Sequence, residues 1–142
     1  MQLGALLILG LVKSLSGVHN NHLSATEVAE SQSRAAAELR KQLPKKLNDV
    51  TTLTDVYAVG PAIFFRTTLS KPLAEIDKDK FEKETSNFLT HNICSSSMVS
   101  TLNAGGKYDY LYFDPEGRRI ATIEITAMSC TGSPNAVTQK VF

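Results

Sequence analysis

Cys94 and Cys130 are the only cysteines in this 142-residue chain, and they bracket a pattern that reads as a β-hairpin. After Cys94 come a short helical run ending at Gly105 and Gly106, a strand pattern over Lys107 to Asp114, the turn sequence Asp114-Pro115-Glu116-Gly117 and a strand pattern over Arg118 to Met128. An even cysteine count behind an export signal favours a structural disulfide, tying a helix end to the far end of the last strand. Two other readings stay open. His91, Cys94 and Cys130 supply three ligand types for a metal, without an evident fourth. Alternatively, Cys94 is a nucleophile with His91 as its base one helical turn away, giving a thiol-active or hydrolytic enzyme.

The export signal is the run Leu3 to Val12, ten apolar residues, whereas a helix crossing a bilayer needs about 20. Ser14 and Ser16 place small residues three and one positions before a cut after Ser16, so residues 1–16 read as a signal peptide. The alternative is a membrane anchor that keeps this first helix. Residues 17–23 are a polar leader, in which His19 and His22 have no carboxylate or thiolate nearby and read as surface residues. After cleavage no stable membrane span is expected, and the location is periplasmic or secreted. The net charge of +1 argues against a dedicated nucleic-acid binder, which needs a concentrated basic surface.

Residues 24–130 read as a single α+β domain. Ser24 with Glu27 forms a capping box, Leu23 with Val28 takes the positions of a hydrophobic staple, and Val28, Ala35, Ala36, Leu39 and Leu43 make an apolar stripe stopped by Pro44. Arg40, Lys41, Lys45 and Lys46 read as the solvated end of that helix. Val50 to Val59 and Ala62 to Leu69 read as an antiparallel hairpin, with a loop wider than the two residues Gly60 and Pro61. Asp77 caps a second helix from Lys78 to about Asn92, with Phe81, Thr85, Phe88 and Leu89 on its apolar face.

In the final hairpin Tyr108, Tyr110 and Tyr112 alternate with Leu111 and Phe113, while Ala121, Ile123 and Ile125 alternate with Ile120, Thr122 and Glu124. These patterns predict one aliphatic sheet face and one of tyrosine, threonine and glutamate. The tyrosines are then either a second packed layer or a platform for a partner. The expected fold is an antiparallel sheet of about four strands, two main helices and one short helix, in the order α-β-β-α-α-β-β with one disulfide. Residues 131–142 read as a flexible tail.

The sequence has no nucleophile elbow, phosphate loop, dinucleotide fingerprint or paired-histidine zinc motif. The reading is therefore a non-enzymatic protein with no cofactor and no metal. Cys94, the stretch from Gly105-Gly106 through Tyr108, Tyr110 and Tyr112, the Asp114–Gly117 turn and Cys130 together resemble small disulfide-bonded proteins of the Gram-negative envelope. The resemblance covers about residues 24–130 and points to one class of type II secretion pilotins and the secreted virulence-factor-like proteins similar to them. Pilotins of that class are lipoproteins that carry a secretin subunit to the outer membrane, so the resemblance implies an envelope or secreted protein partner. No cysteine stands beside Ser16 to accept a lipid there.

Overall fold

The computed structural model describes residues 24–131. The expected signal segment, the leader and the tail from residue 132 onward lie outside the described residues.

Helix α1, Ala25–Arg40, starts as its capping box dictates: Ser24 Oγ accepts from the Glu27 amide at 3.1 Å and Glu27 Oε1 accepts from the Ser24 amide at 2.9 Å. Its buried face is Val28, Gln32, Ala35, Ala36 and Leu39. Lys45 and Lys46, expected on a helix end, instead begin a strand, β1 (Lys45–Asn48), with Lys45 opposite Leu53. Leu47 drives this, because it is 5% exposed and belongs to the core. One apolar residue in a four-residue strand is too short an alternation to read from sequence.

β2 (Thr51–Val59) and β3 (Ala62–Leu69) pair antiparallel, with Val59 opposite Ala62. The connection is therefore the two residues Gly60 and Pro61, not a wider loop. Gly60 takes φ +56 and Pro61 is locked to negative φ, the sign combination a II′ turn requires. A single 3-10 turn, Leu73–Glu75, leads to helix α2, Lys78–Cys94, where Asp77 Oδ1 accepts from the Lys80 amide at 3.1 Å. The short helix α3, Val99–Asn103, is followed by Gly105 at φ +100, a left-handed ending that favours glycine. β4 (Lys107–Phe113) and β5 (Arg119–Ile125) form the second hairpin, and a five-residue helix, α4 (Ala127–Thr131), follows.

The sheet has five strands in the order β1-β2-β3-β4-β5, all neighbours antiparallel except β3 and β4, which run parallel. The expected four-stranded antiparallel sheet is corrected accordingly. A parallel pair requires a crossover, and here α2 and α3 carry the chain from the end of β3 back to the start of β4. The last strand is also shorter than expected. It ends at Ile125 rather than Met128, and Cys130, expected just after the strand, lies in the helix α4 that follows it.

Register decides which face is the core. Ile63, Phe65 and Thr67 stand beside Tyr108, Tyr110 and Tyr112, which stand beside Ile125, Ile123 and Ala121. The tyrosine and isoleucine stripes thus share one face, correcting the expectation of separate aliphatic and tyrosine faces. Helix α1 packs over β2 and β3, and α2 over β5, both against this face. Phe65 stacks on Tyr110 with ring centroids 4.8 Å apart, and Phe81 of α2 meets Tyr112 edge-on at 5.1 Å. Cys94, the last residue of α2, is disulfide-bonded to Cys130 of α4, with their Cα atoms 5.5 Å apart.

Candidate binding face

Alternation puts Tyr57, Phe64, Arg66, Lys107, Asp109, Leu111, Phe113, Thr122 and Glu124 on the opposite side of the sheet. Ala35, Ala36 and Leu39 of α1, Phe81, Leu89 and Ile93 of α2 and Leu102 of α3 join the same core as the tyrosines, so these described helices pack on the tyrosine side of the sheet. Three cross-strand rows build it. Tyr57, Phe64, Asp109 and Glu124 form one row; Asp55, Arg66, Leu111 and Thr122 the next; Thr68 and Phe113 follow, with Arg119 opposite Phe113.

Aromatic rings and charges are interleaved on it. Tyr57 and Phe64 stack nearly parallel with centroids 5.0 Å apart. The Arg66 guanidinium lies 3.7 Å from the centroid of Phe113, and that of Arg119 lies 5.8 Å away, an arrangement stabilised by the ring's negative face. Lys107 Nζ sits 2.6 Å from Glu124 Oε2, and this hydrogen bond raises the lysine's pKa. Asp109 is only 6% exposed. Loss of solvent raises its carboxyl pKa, Glu124 raises it further, and Lys107 opposes both.

At the rim, Asp114 organises the hairpin turn. Its Oδ1 accepts from the amides of Glu116 at 3.0 Å and Arg118 at 2.8 Å. Its Oδ2 accepts from Arg118 Nε at 2.8 Å and from the Leu73 amide at 3.2 Å, which ties the turn to the segment after β3. Burial works against its charge, but the Arg118 and Leu73 donors outweigh this and hold the carboxyl below the usual range. The sequence marks Asp114 only as a turn residue. Its long-range bond to Leu73 has no local signal.

The structure does not bring the tyrosines to a surface where a partner can reach them. Tyr108, Tyr110 and Tyr112 are 1%, 0% and 4% exposed, and the partner-platform reading of these residues is corrected to core packing. Burial pushes the Tyr108 hydroxyl up to about 12, against a lowering hydrogen bond with Thr101, and raises those of Tyr110 and Tyr112 as well. His91 is exposed on α2, while the Cys94 sulfur is committed to Cys130. Neither the thiolate nucleophile nor the His91–Cys94–Cys130 ligand set then has its sulfur donor. Reading alternation in the other register would have singled out Phe64, Asp109, Leu111 and Phe113.

A scan against protein-family models gives no match, and neither does a search of curated proteins. Solved structures do match. A candidate secreted protein of Pseudomonas aeruginosa superposes with a TM-score of 0.66 at 18% identity, covering 78% of this chain and 99% of that one. The type II secretion pilotin EpsS of Vibrio vulnificus matches with a TM-score of 0.62 at 16% identity, covering 75% of this chain and 94% of its own. The pilotin AspS of Vibrio cholerae gives 0.58 at 16% identity, with the same two coverages, 75% and 94%. The chain shares the fold of these proteins over nearly their whole length. The resemblance read from Cys94, the tyrosine stretch, the turn and Cys130 is therefore a likeness of architecture.

Proposed function

We propose that this protein is a non-enzymatic domain, exported to the periplasm or secreted, that binds another envelope protein as a pilotin-like secretion accessory or a secreted virulence-associated factor. The observation that carries the reading is the uncovered sheet face, with stacked rings, cation-capped aromatics and paired charges on a rigid, helix-backed sheet. Such a surface suits recognition, where aromatic and arginine side chains supply most of the affinity. The fold shared with two secretion pilotins favours the same role. The Cys94–Cys130 bond fits an oxidising compartment outside the cytoplasm.

The test uses the full chain as bait in an envelope extract under gentle crosslinking, followed by reconstitution with the purified candidate. A secretin, or another envelope protein that forms a defined complex with the purified chain, is the expected outcome. Absence of any reconstituted complex would remove the proposal.

A further inference from the structure

Strand β5 ends the sheet with one side unpaired. It is bonded to β4 alone, and among the described residues no backbone hydrogen bond reaches the other side of residues 119–125. An open edge is a template for a further strand, and proteins that keep one unpaired shorten it, bulge it or load it with lysine. The opposite edge, β1, has all three: four residues, Lys45 with Lys46, and a register shift between Lys46 and Asn48. β5 has seven residues and carries a cation, Arg119, at one end and an anion, Glu124, near the other.

The one irregularity of β5 sets these charges symmetrically. Tyr112 stands opposite Ala121 and Phe113 opposite Arg119, so Ile120 is the extra residue of a bulge. With Ile120 skipped, Arg119 and Glu124 each stand two ladder positions from Thr122. All three side chains are exposed and share one face, opposite Phe113, Asp109 and Leu111 respectively. Both charges have capacity left. Arg119 joins no ion pair among the described residues, and Lys107 takes only Oε2 of Glu124.

We propose that two copies of this chain pair antiparallel along β5, about a two-fold axis at Thr122. Thr122 then meets Thr122 of the second copy, Ala121 meets Ile123, and Arg119 meets Glu124 on both sides of the axis. An axis at Ala121 would leave Glu124 facing beyond the strand, and one at Ile123 would do the same to Arg119. The opposite charges that match are written in one strand, which selects a second copy over an unrelated extended segment. The contact is separate from the docking function and needs no envelope partner.

The experiment is sedimentation velocity of the full chain, disulfide intact, at rising concentration. Wild type is expected to form a dimer, and Arg119→Glu and Glu124→Arg each to weaken it at least about tenfold, because each sets like charges together twice. An equimolar mixture of the two variants is expected to recover association to within about threefold of wild type, since both contacts of a mixed pair again join opposite charges. Thr122→Lys, which changes an exposed side chain on the axis, is a further variant expected to dissociate the pair while melting like the wild type. Hydrogen exchange should slow at β5 amides as the dimer fills. A wild type that stays monomeric up to about 1 mM overturns the proposal. So does unchanged association in either charge variant, failure of the mixture to recover when both variants melt like the wild type, or a dimer whose added protection lies away from β5.

Discussion

Removing the staple is the perturbation whose size follows most directly from the structure. In Cys94→Ala with Cys130→Ala, the unfolded chain regains the freedom of a loop closed across 36 positions. The chain-entropy relation for that loop gives roughly 3.8 kcal/mol at 25 °C. With an unfolding entropy of about 0.23 kcal/mol/K for residues 24–131, the midpoint should fall by roughly 16 °C. The loss should not be uniform. Helix α4 spans five residues, too few to persist alone, and Cys130 holds it to α2. Thermal melts by circular dichroism, with and without reductant, measure the effect. Hydrogen exchange should show the amides of Ala127–Thr131 opening first. The reasoning is refuted if the double variant melts within about 3 °C of the wild type, or if reductant leaves the wild-type midpoint unchanged.

Three further outcomes follow from packing and charge. Gly106→Ala should destabilise by about 1 to 3 kcal/mol in urea unfolding. Its Cβ would stand 2.6 Å from Thr101 Cγ2 and 2.9 Å from the Thr101 carbonyl oxygen, and the backbone atom cannot turn away. Tyr110→Phe should leave stability unchanged or raise it by up to about 1 kcal/mol, because the buried Tyr110 hydroxyl has no hydrogen-bond partner among the described residues. Thermal melts of Tyr110→Phe against the wild type measure this. Asp114, with its lowered carboxyl, contributes stability that is present above its unfolded pKa near 4 and lost as pH falls through the folded value. Asp109, with its raised carboxyl, has the opposite sign: stability falls as pH rises from the unfolded pKa through the folded one. Asp114→Asn should therefore show a deficit at neutral pH that shrinks in acid, and Asp109→Asn an advantage that shrinks in acid, both read from unfolding across the acid range.

Local rules made much of this fold legible. The capping box at Ser24, the Asp77 cap and the glycine ending at Gly105 fixed helix boundaries because each is written within four residues of sequence. Strand composition located β2, β3 and β4 for the same reason. What escaped is set by contacts across the chain. β1 exists because Leu47 is taken into a core assembled from distant elements. The parallel pairing of β3 with β4 depends on how α2 and α3 route the chain. Alternation gives two residue sets on each strand, but only register says which set joins which, so the sequence alone pairs the tyrosines with the wrong neighbours. That single ambiguity hid the candidate site, since the residues exchanged with the tyrosines, Asp109 and Leu111 above all, are those on the uncovered face. The disulfide was legible from the even cysteine count read with the expected export signal, and the loss of the thiol chemistry follows from it.

The sheet is one-sided, with helices and staple on the tyrosine face, and the other face is the one proposed for a partner. The most direct test is a chemical-shift map of the isotope-labelled protein with its reconstituted envelope partner. The shifted amides are expected to cluster on β2 to β5, around Tyr57, Phe64, Asp109, Leu111 and Phe113. Shifts confined to the exposed sides of α1 and α2, with the sheet amides unmoved, would contradict it.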